Sequence, residues 1–549
     1  MLWLIALTCL SLLVYFLYRR LSRPEAPKEP ATARAKSGKY NWESPTFEAV
    51  GPFFIKPWLQ PGNHPHFAED GSECMEVLFH TARRLGSCRV EVRELNAADQ
   101  SPILTVRPDT RTVNLVGVAN QVQYVARLTG LKSDTAYGYK IFFGVEEVHS
   151  STFSTRKSRG QEFRAIVFGD MGSGSPWQKQ VAYQMSLPER SAADAANGKS
   201  SAHRKPRGAD LLIGSGDIVY HHGRFNEYLS RFFPVYQAGK DSPETGAALL
   251  DKSMFISCVG NHDMAKYDPE TLISFSDYPD LMAYFALFSL PLNGFNPEHD
   301  LGENEVSRKG AGTQQVGANL PPMTGDRQAR QALIDAADGR YPRMANFSYD
   351  YGNAHFLFLD ANTYMDWSEK SLRDYVRKDL SKVPKGVWKI VVLHQPPFTS
   401  NRKHQREQNM RFLADIFEEQ GVAVVFCGHA HSYERSRPIK FKVLEGAKAL
   451  HRQVEGYVGG SITMDFDFDG KEKRQPNGVI YIVTGGGGAK LDSVDLMERP
   501  DLWQPWTVKL IGDRHSFSIV DFTRDTLILR QIDLNGEEVD RFEIFNPSL

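Results

Sequence analysis

The chain has 549 residues, 41% of them hydrophobic, and its 65 Lys and Arg against 66 Asp and Glu give a formal charge of -1. That length exceeds one ordinary domain and that composition is globular, which excludes disordered and fibrous classes. The balanced charge offers no bulk attraction to a polyanion, so nucleic acid is not an expected partner.

In chain order, MLWLIALTCLSLLVYFLY carries no charge before Arg19 and Arg20 and is just long enough to cross a bilayer. Residues 1–20 therefore read as a transmembrane anchor or uncleaved signal, without the basic start and small-residue cleavage site of a secretory leader. Residues 21–45, rich in Pro, Ala and Lys, form a tether. Because Arg19, Arg20, Arg23 and Lys28 follow the span, the positive-inside rule alone places the rest of the chain in the cytoplasm.

Residues 46–158 carry short β-branched and aromatic runs, MEVLFHTA, CRVEVREL, RTVNLVGV and YGYKIFFG, separated by turn signals, which predicts an all-β sandwich. Within it LKSDTAYGY places Tyr137 as the tyrosine of a fibronectin type III strand corner, its hydroxyl bonded back to nearby backbone. No convergent ionisable groups collect there, so its role is support. Five cysteines, Cys9, Cys74, Cys88, Cys258 and Cys427, contain no CxxC pair. Cys74 and Cys88 could pair after export, whereas Cys258 and Cys427 lie in apolar runs as small buried side chains.

Residues 160–549 change texture: almost continuously apolar runs, FRAIVFGD, ADLLIGSGD, MFISCVGN, HFLFLDAN, WKIVVLHQ, VAVVFCGH and VIYIVTGG, alternate with longer segments. Such runs suit strands covered on both faces, an α/β layered fold. Segments 265–345 and 435–475 read as insertions, the first without strong periodicity, and SFSIVDFTRDTLILRQID as a closing hairpin. Directly after the apolar runs come Asp170, Asp217, Tyr220, Asn261, His262, His394, His429 and His431. Open α/β sheets bind ligands at the carboxyl ends of their strands, so these residues converge on one rim. Singly, each is explained as a turn residue or a hydrogen-bonded core histidine. Together, carboxylates, a phenol, an amide and imidazoles form no packing set. They suit two adjacent transition metals bridged by a carboxylate.

With those residues in view, the chain resembles a purple acid phosphatase of the calcineurin-like metallophosphoesterase superfamily. The five blocks stand here as GDMG 169–172, GDIVY 216–220, GNHD 260–263, VVLH 391–394 and GHAH 428–431, in order. HSYER, FSYDYGNAHFLFLD and the fibronectin-like region in front add to the match, which spans roughly residues 50–545. The resemblance implies a layered metallophosphoesterase β-sandwich flanked by helices, preceded by the fibronectin type III-like domain and the membrane helix. It also implies Fe(III) on Asp170, Tyr220 and His431, with a tyrosinate charge-transfer colour. A divalent Zn, Mn or Fe would sit on Asn261, His394 and His429, and Asp217 would bridge the two ions.

The implied activity is hydrolysis of phosphate monoesters by a metal-bound hydroxide, with His262 as proton donor to the leaving group and His404 as a second substrate-side histidine. Against this, His404 could be a solvated loop residue. Asp263 is expected to orient His262, His355 to be structural, and His221 and His222 stay outside the catalytic set. GGGG at 485–488 lacks the Lys and Ser/Thr of a P-loop and reads as a close backbone approach near the metals. A phosphodiesterase or nucleotide pyrophosphatase of the same superfamily is one alternative. An inactive membrane-tethered binding protein is the other, disfavoured by the intact ligand set. The family's usual setting implies a periplasmic or extracellular catalytic domain, against the charge rule at the anchor. One sequon, NFS at 346–348, fits a glycosylated secreted chain. Oligomeric state is not legible.

Overall fold

Residues 51–99, 101–187, 208–265, 273–295, 319–321 and 323–546 are described by the computed structural model. The expected anchor and tether lie outside the described residues, among which no helix is long and apolar enough to cross a membrane. The first folded region is a sandwich of two four-stranded antiparallel sheets. One holds Ile55–Gln60, Glu73–Thr81, Gln121–Leu131 and Asp109–Val113, the other Leu104–Val106, Cys88–Glu94, Ala136–Phe143 and Glu146–Ser154. Val77, Phe79 and Tyr124 from the first and Val90, Val92 and Ile141 from the second are buried, with Phe79 and Tyr124 stacked at 4.8 Å. Tyr137 is fully buried, and its hydroxyl accepts from Lys132 N at 3.0 Å, the corner the sequence predicts.

The region after residue 160 contains two mixed sheets. In the six-stranded sheet Met254–Ser257, Leu211–Gly214 and Phe163–Phe168 run parallel, and Ser516–Phe522, Thr526–Asp533 and Glu538–Phe545 complete it antiparallel. The predicted closing hairpin is thus two thirds of a meander that docks beside Phe163–Phe168. In the seven-stranded sheet Ala354–Leu359, Trp388–Leu393, Val424–Cys427 and Ile480–Thr484 are parallel, flanked by Phe347–Tyr351 on one side and Tyr433–Ser436 and Thr507–Ile511 on the other. The sheets meet through aromatic residues. Phe356 of the seven-stranded sheet packs edge-on against Phe522 of the six-stranded sheet at 5.7 Å, and Tyr351 of the former lies 4.9 Å from Phe163 of the latter. The central strands are buried along almost their whole length, Lys389 alone being half-buried, as expected when both faces are covered.

Several expectations need correction. Cys74 and Cys88 are free thiols, as are Cys258 and Cys427, which are buried in the core. Asn346 of the sequon is buried, and its side-chain carbonyl accepts from Asp360 N at 2.8 Å, so it is no surface acceptor. The first insertion is not featureless: Arg327–Ala337 is an amphipathic helix, N-capped by Asp326, burying Ala329, Leu333, Ala336 and Ala337.

His355 is structural, as expected. Its Nδ1 lies 2.7 Å from Asp350 Oδ1 and its Nε2 2.9 Å from Asp379 Oδ2, while His66 Nδ1 holds the other Asp350 oxygen at 2.7 Å. Burial alone would lower His355, but the two carboxylates outweigh it and raise it to about 9. Its folded value lies above the ordinary 6.5, so its stabilisation is complete below about pH 6.5 and is lost as pH rises through 9. Asp350 is shifted the other way, held low by His355 and His66 against burial, and its contribution is lost as pH falls through its folded value. His355→Gln is expected to flatten the loss of thermal stability between pH 6.5 and 9, a loss of about 3 kcal/mol at most. An unchanged slope in melting experiments across that range would remove this role.

Candidate metal centre

Each predicted ligand lies within six residues of the carboxyl end of a parallel strand: Asp170 after Phe163–Phe168, Asp217 and Tyr220 after Leu211–Gly214, Asn261 after Met254–Ser257, His394 after Trp388–Leu393, and His429 and His431 after Val424–Cys427. Three of them adopt the left-handed backbone region, Asp170 at φ 55°, Asp217 at φ 50° and His429 at φ 70°. For non-glycine residues that costs roughly 1–3 kcal/mol each and persists where surrounding structure enforces it. The neighbouring glycines are dictated by crowding. A Cβ on Gly260 would meet Asp217 Oδ1 at 2.2 Å, one on Gly428 Asp170 Oδ2 at 2.6 Å, and one on Gly485 Ala430 O at 2.2 Å. The GGGG corner is therefore a close backbone approach to the site, as the sequence predicts.

The side chains gather in two adjoining groups. Tyr220 Oη donates to Asp170 Oδ1 at 2.9 Å and lies 3.1 Å from His431 Nε2, which is 3.3 Å from Asp170 Oδ1. Asp217, His394 and His429 bring one ligand atom each within 4.8 Å of one another. His394 Nε2 links the groups, 3.2 Å from Asp217 Oδ1 and 4.0 Å from Asp170 Oδ1. A backbone carbonyl cannot donate, so each ring nitrogen facing one must carry the proton. His394 Nδ1 faces Ser215 O at 2.8 Å, His431 Nδ1 faces Lys490 O at 2.7 Å and His262 Nδ1 faces His221 O at 2.7 Å. In all three Nδ1 thereby carries a proton and Nε2 is the nitrogen turned inward, the arrangement by which outer contacts orient a ligand.

Two observations fit this set to metal. Asn261 Oδ1 and His394 Nε2 are buried without a hydrogen-bond partner, a deficit of about 1–3 kcal/mol for each polar atom unless something else meets it. The donors are mixed oxygen and nitrogen, the chemistry of transition ions. Charge is also poised for exchange. Against burial, Asp217 and Asp170 raise His394 to about 10, and Asp170 raises His431 to about 9, so cation binding there releases protons. Burial lowers His429 to about 4, leaving it neutral and able to coordinate. Burial, with the charges of Asp170 and Asp217, pushes the Tyr220 hydroxyl well above its usual range, so it remains a donor until a cation lies beside it.

His262 donates its backbone N–H to Asp217 Oδ1 at 2.9 Å, places Nε2 3.9 Å from Asp217 Oδ2 and packs on the Tyr220 ring at 4.4 Å. Asp263 does not orient it. The Asp263 carboxylate instead accepts from Ile218 N, Gly260 N and Tyr228 Oη at 2.9–3.1 Å, tying together the two loops that carry Asp217 and Asn261. Burial and the nearby Asp217 raise Asp263 to about 7. His404 is buried beside His429, ring centroids 4.0 Å apart, rather than solvated. The residue that sequence reasoning missed is Glu407, which accepts from His404 Nδ1 at 2.8 Å and from His429 Nε2 at 2.7 Å. The carboxylate thereby leaves Nδ1 as the bare nitrogen of His429. Its separation from His404 by three residues was the only signal. Asp492, whose Oδ1 accepts from His431 N at 3.0 Å and whose Oδ2 is 3.6 Å from His404 Nε2, was missed as well.

A rim of strand-end carboxylates, imidazoles and a phenol on two packed sheets is a donor set suited to metal ions. Residues 163–433 match the family model described as Calcineurin-like phosphoesterase. Among curated proteins and solved structures the resemblance is to purple acid phosphatases. It is similar to Purple acid phosphatase 23 of Arabidopsis thaliana, 32% identical over 162 residues that cover 29% of this chain and 35% of that protein. It is also similar to Probable inactive purple acid phosphatase 9 of the same plant, 24% identical over 323 residues covering 56% and 42% of the two chains. Among solved structures, purple acid phosphatase PPD1 from yellow lupin (Lupinus luteus) seeds has a TM-score of 0.53 at 17% identity, covering 90% of this chain and 75% of that one, a likeness of fold. The chain spans less than half the length of those two curated relatives.

Proposed function

We propose that this chain hydrolyses phosphate monoesters at a dinuclear centre. Asp170, Tyr220 and His431 would hold Fe(III), Asn261, His394 and His429 would hold divalent Zn, Mn or Fe, and Asp217 would serve both. The observation that supports this most is the gathering of Asp170, Asp217, Tyr220, His394, His429 and His431 at the strand ends, with buried Asn261 Oδ1 and His394 Nε2 lacking partners. A binding module on the same fold would not need that deficit, although one relative is named inactive. Bound cations supply Lewis acidity toward phosphate oxygens and a nucleophilic water at low pH.

The protein's own part follows from the geometry. His394 and His262 keep the Asp217 carboxyl ionised in spite of burial. His262, its Nδ1–H committed to His221 O, offers Nε2 to the leaving oxygen as proton donor. His404 contributes from the opposite edge, where its buried Nε2 has no hydrogen-bond partner and can meet a phosphate oxygen. The experiment is a visible spectrum with metal analysis of the purified protein. A broad tyrosinate-to-iron band that disappears in Tyr220→Phe is the expected result, and a colourless active protein holding two divalent ions would overturn the ferric assignment.

A pocket of about 700 Å³ opens beside Tyr220, His262 and His431 and leaves room for a second ester group. The diesterase or pyrophosphatase reading is therefore tested by comparing mono- and diester substrates. We also read residues 46–158 as a fibronectin type III-like support and 160–549 as the catalytic domain, with residues 1–20 anchoring it on the extracytoplasmic side. Fractionation of the full chain, with protease accessibility, tests that placement.

A further inference from the structure

The pocket beside His262 has a wall that hydrolysis itself does not require. Its outer side is Trp177, 48% exposed, stacked on buried His515 with centroids 5.6 Å apart and planes 19° from parallel. Ala489, Leu491 and Leu534 supply apolar sides. An indole with exposed surface on the wall of a cavity offers a large flat apolar face to a ligand, and large aromatics dominate recognition energetics. Burial lowers His515 to about 4 and its Nδ1 is held 3.2 Å from Gly486 O, so it backs the indole as a neutral ring.

Trp177 is also fixed in place. It is the second residue of the helix Pro176–Ser186, whose N-cap Ser175 accepts from Gln178 N at 3.2 Å. The hydroxyls of Ser173 and Ser175 both donate to Gly488 O, at 2.8 and 2.6 Å, tying the start of the helix to the glycine corner beside Asp170. The indole is thereby preorganised at the wall of a cavity that also includes Tyr220, His262 and His431, and little entropy is lost when a ring docks on it.

We propose that this cavity is the leaving-group subsite and takes a planar aromatic group stacked on Trp177, as in an aryl phosphate or a nucleoside monophosphate. The proposal rests on the phosphatase reading above. The test compares kcat/KM for phenyl phosphate, adenosine 5′-monophosphate and glycerol 2-phosphate in the wild type, Trp177→Ala and Trp177→Phe. Stacking of a base on an aromatic side chain predicts that the ratio of aromatic to glycerol ester falls roughly five- to 150-fold in Trp177→Ala and is largely restored in Trp177→Phe. A fall for phenyl phosphate alone, or for the nucleotide alone, identifies which ring the subsite serves. An unchanged ratio for both overturns the proposal. If the wild type hydrolyses none of the three, the phosphatase reading fails instead. Calorimetric binding of adenosine and phenol, lost in Trp177→Ala, would then still support the subsite, and its absence from the wild type would remove it.

Discussion

Asp217→Ala is expected to abolish phosphatase activity, with kcat/KM reduced at least about a thousandfold, since stabilisation by bound cations amounts to several kcal/mol and about 1.4 kcal/mol is tenfold. Asp217 is where the two ligand groups and the proposed acid meet. Its Oδ1 accepts from His262 N at 2.9 Å and lies 3.2 Å from His394 Nε2, while Oδ2 faces His262 Nε2 at 3.9 Å. Removing it leaves the imidazoles of His394 and His262 facing a void. Glu407→Gln, by contrast, keeps all seven ligands and weakens the shared partner of His429 and His404, so a loss of about 10–100-fold in metal affinity or activity is expected. A third variant separates chemistry from folding. Asp217 sits at φ 50°, where alanine is strained and glycine is not. Asp217→Gly should therefore be as inactive as Asp217→Ala yet more stable by about 1 kcal/mol. Near-normal activity in either variant would dissolve the metal assignment.

How much of this site was legible depended on whether its chemistry is local. The ligands were readable because each stands shortly after an apolar parallel strand, and Asp170, Asp217, Asn261 and His429 also follow a glycine whose missing Cβ admits neighbouring groups, a signature confined to a few residues. Glu407, Asp492 and Asp360 carry no such signature. Asp360, raised to about 6 by burial, anchors Tyr364 and Asn362, and Asn362 in turn supports Gln395 beside His394. These contacts exist only once separate segments have packed. The same limit explains the strands that were missed. Gln121–Leu131 buries Gln121 and Gln123, which bond His80 at 2.5 and 2.9 Å, so its polar residues disguise a central strand. Glu146–Ser154 is an edge strand whose polar sequence reflects one exposed side. Helix Arg327–Ala337 escaped because alanines supply most of its buried face, a weak hydrophobic period.

The other large expected effect is on stability and centres on Arg156, which no motif marks. All five of its N–H donors are used. Nε and Nη2 grip the two carboxylate oxygens of Glu73 at 2.6 Å each, Nη1 donates to Pro65 O and Asp350 O at 3.0 and 3.1 Å, and Nη2 also donates to His66 O at 3.1 Å. The guanidinium lies over the rings of Phe67 and Tyr349 at 4.5 and 4.7 Å and is wholly buried. Glu73 belongs to the N-terminal sandwich and Tyr349 and Asp350 to the edge of the seven-stranded sheet, so one side chain joins the two regions. Arg156→Ala strands the Glu73 carboxylate and three carbonyls, and a cost of about 3–5 kcal/mol is expected in thermal or urea unfolding. Arg156→Lys should recover little, because an ammonium replaces the planar fork with three donors. Replacing the pair together, Arg156→Met with Glu73→Leu, removes both charges and should be far less damaging than the sum of the single changes. High salt should not mimic the loss, since a pair shielded from solvent is barely screened. An Arg156→Ala variant destabilised by less than about 1 kcal/mol would show that the sandwich is held by its apolar contacts, such as Trp58 against Phe233 at 5.1 Å, and not by this ion pair.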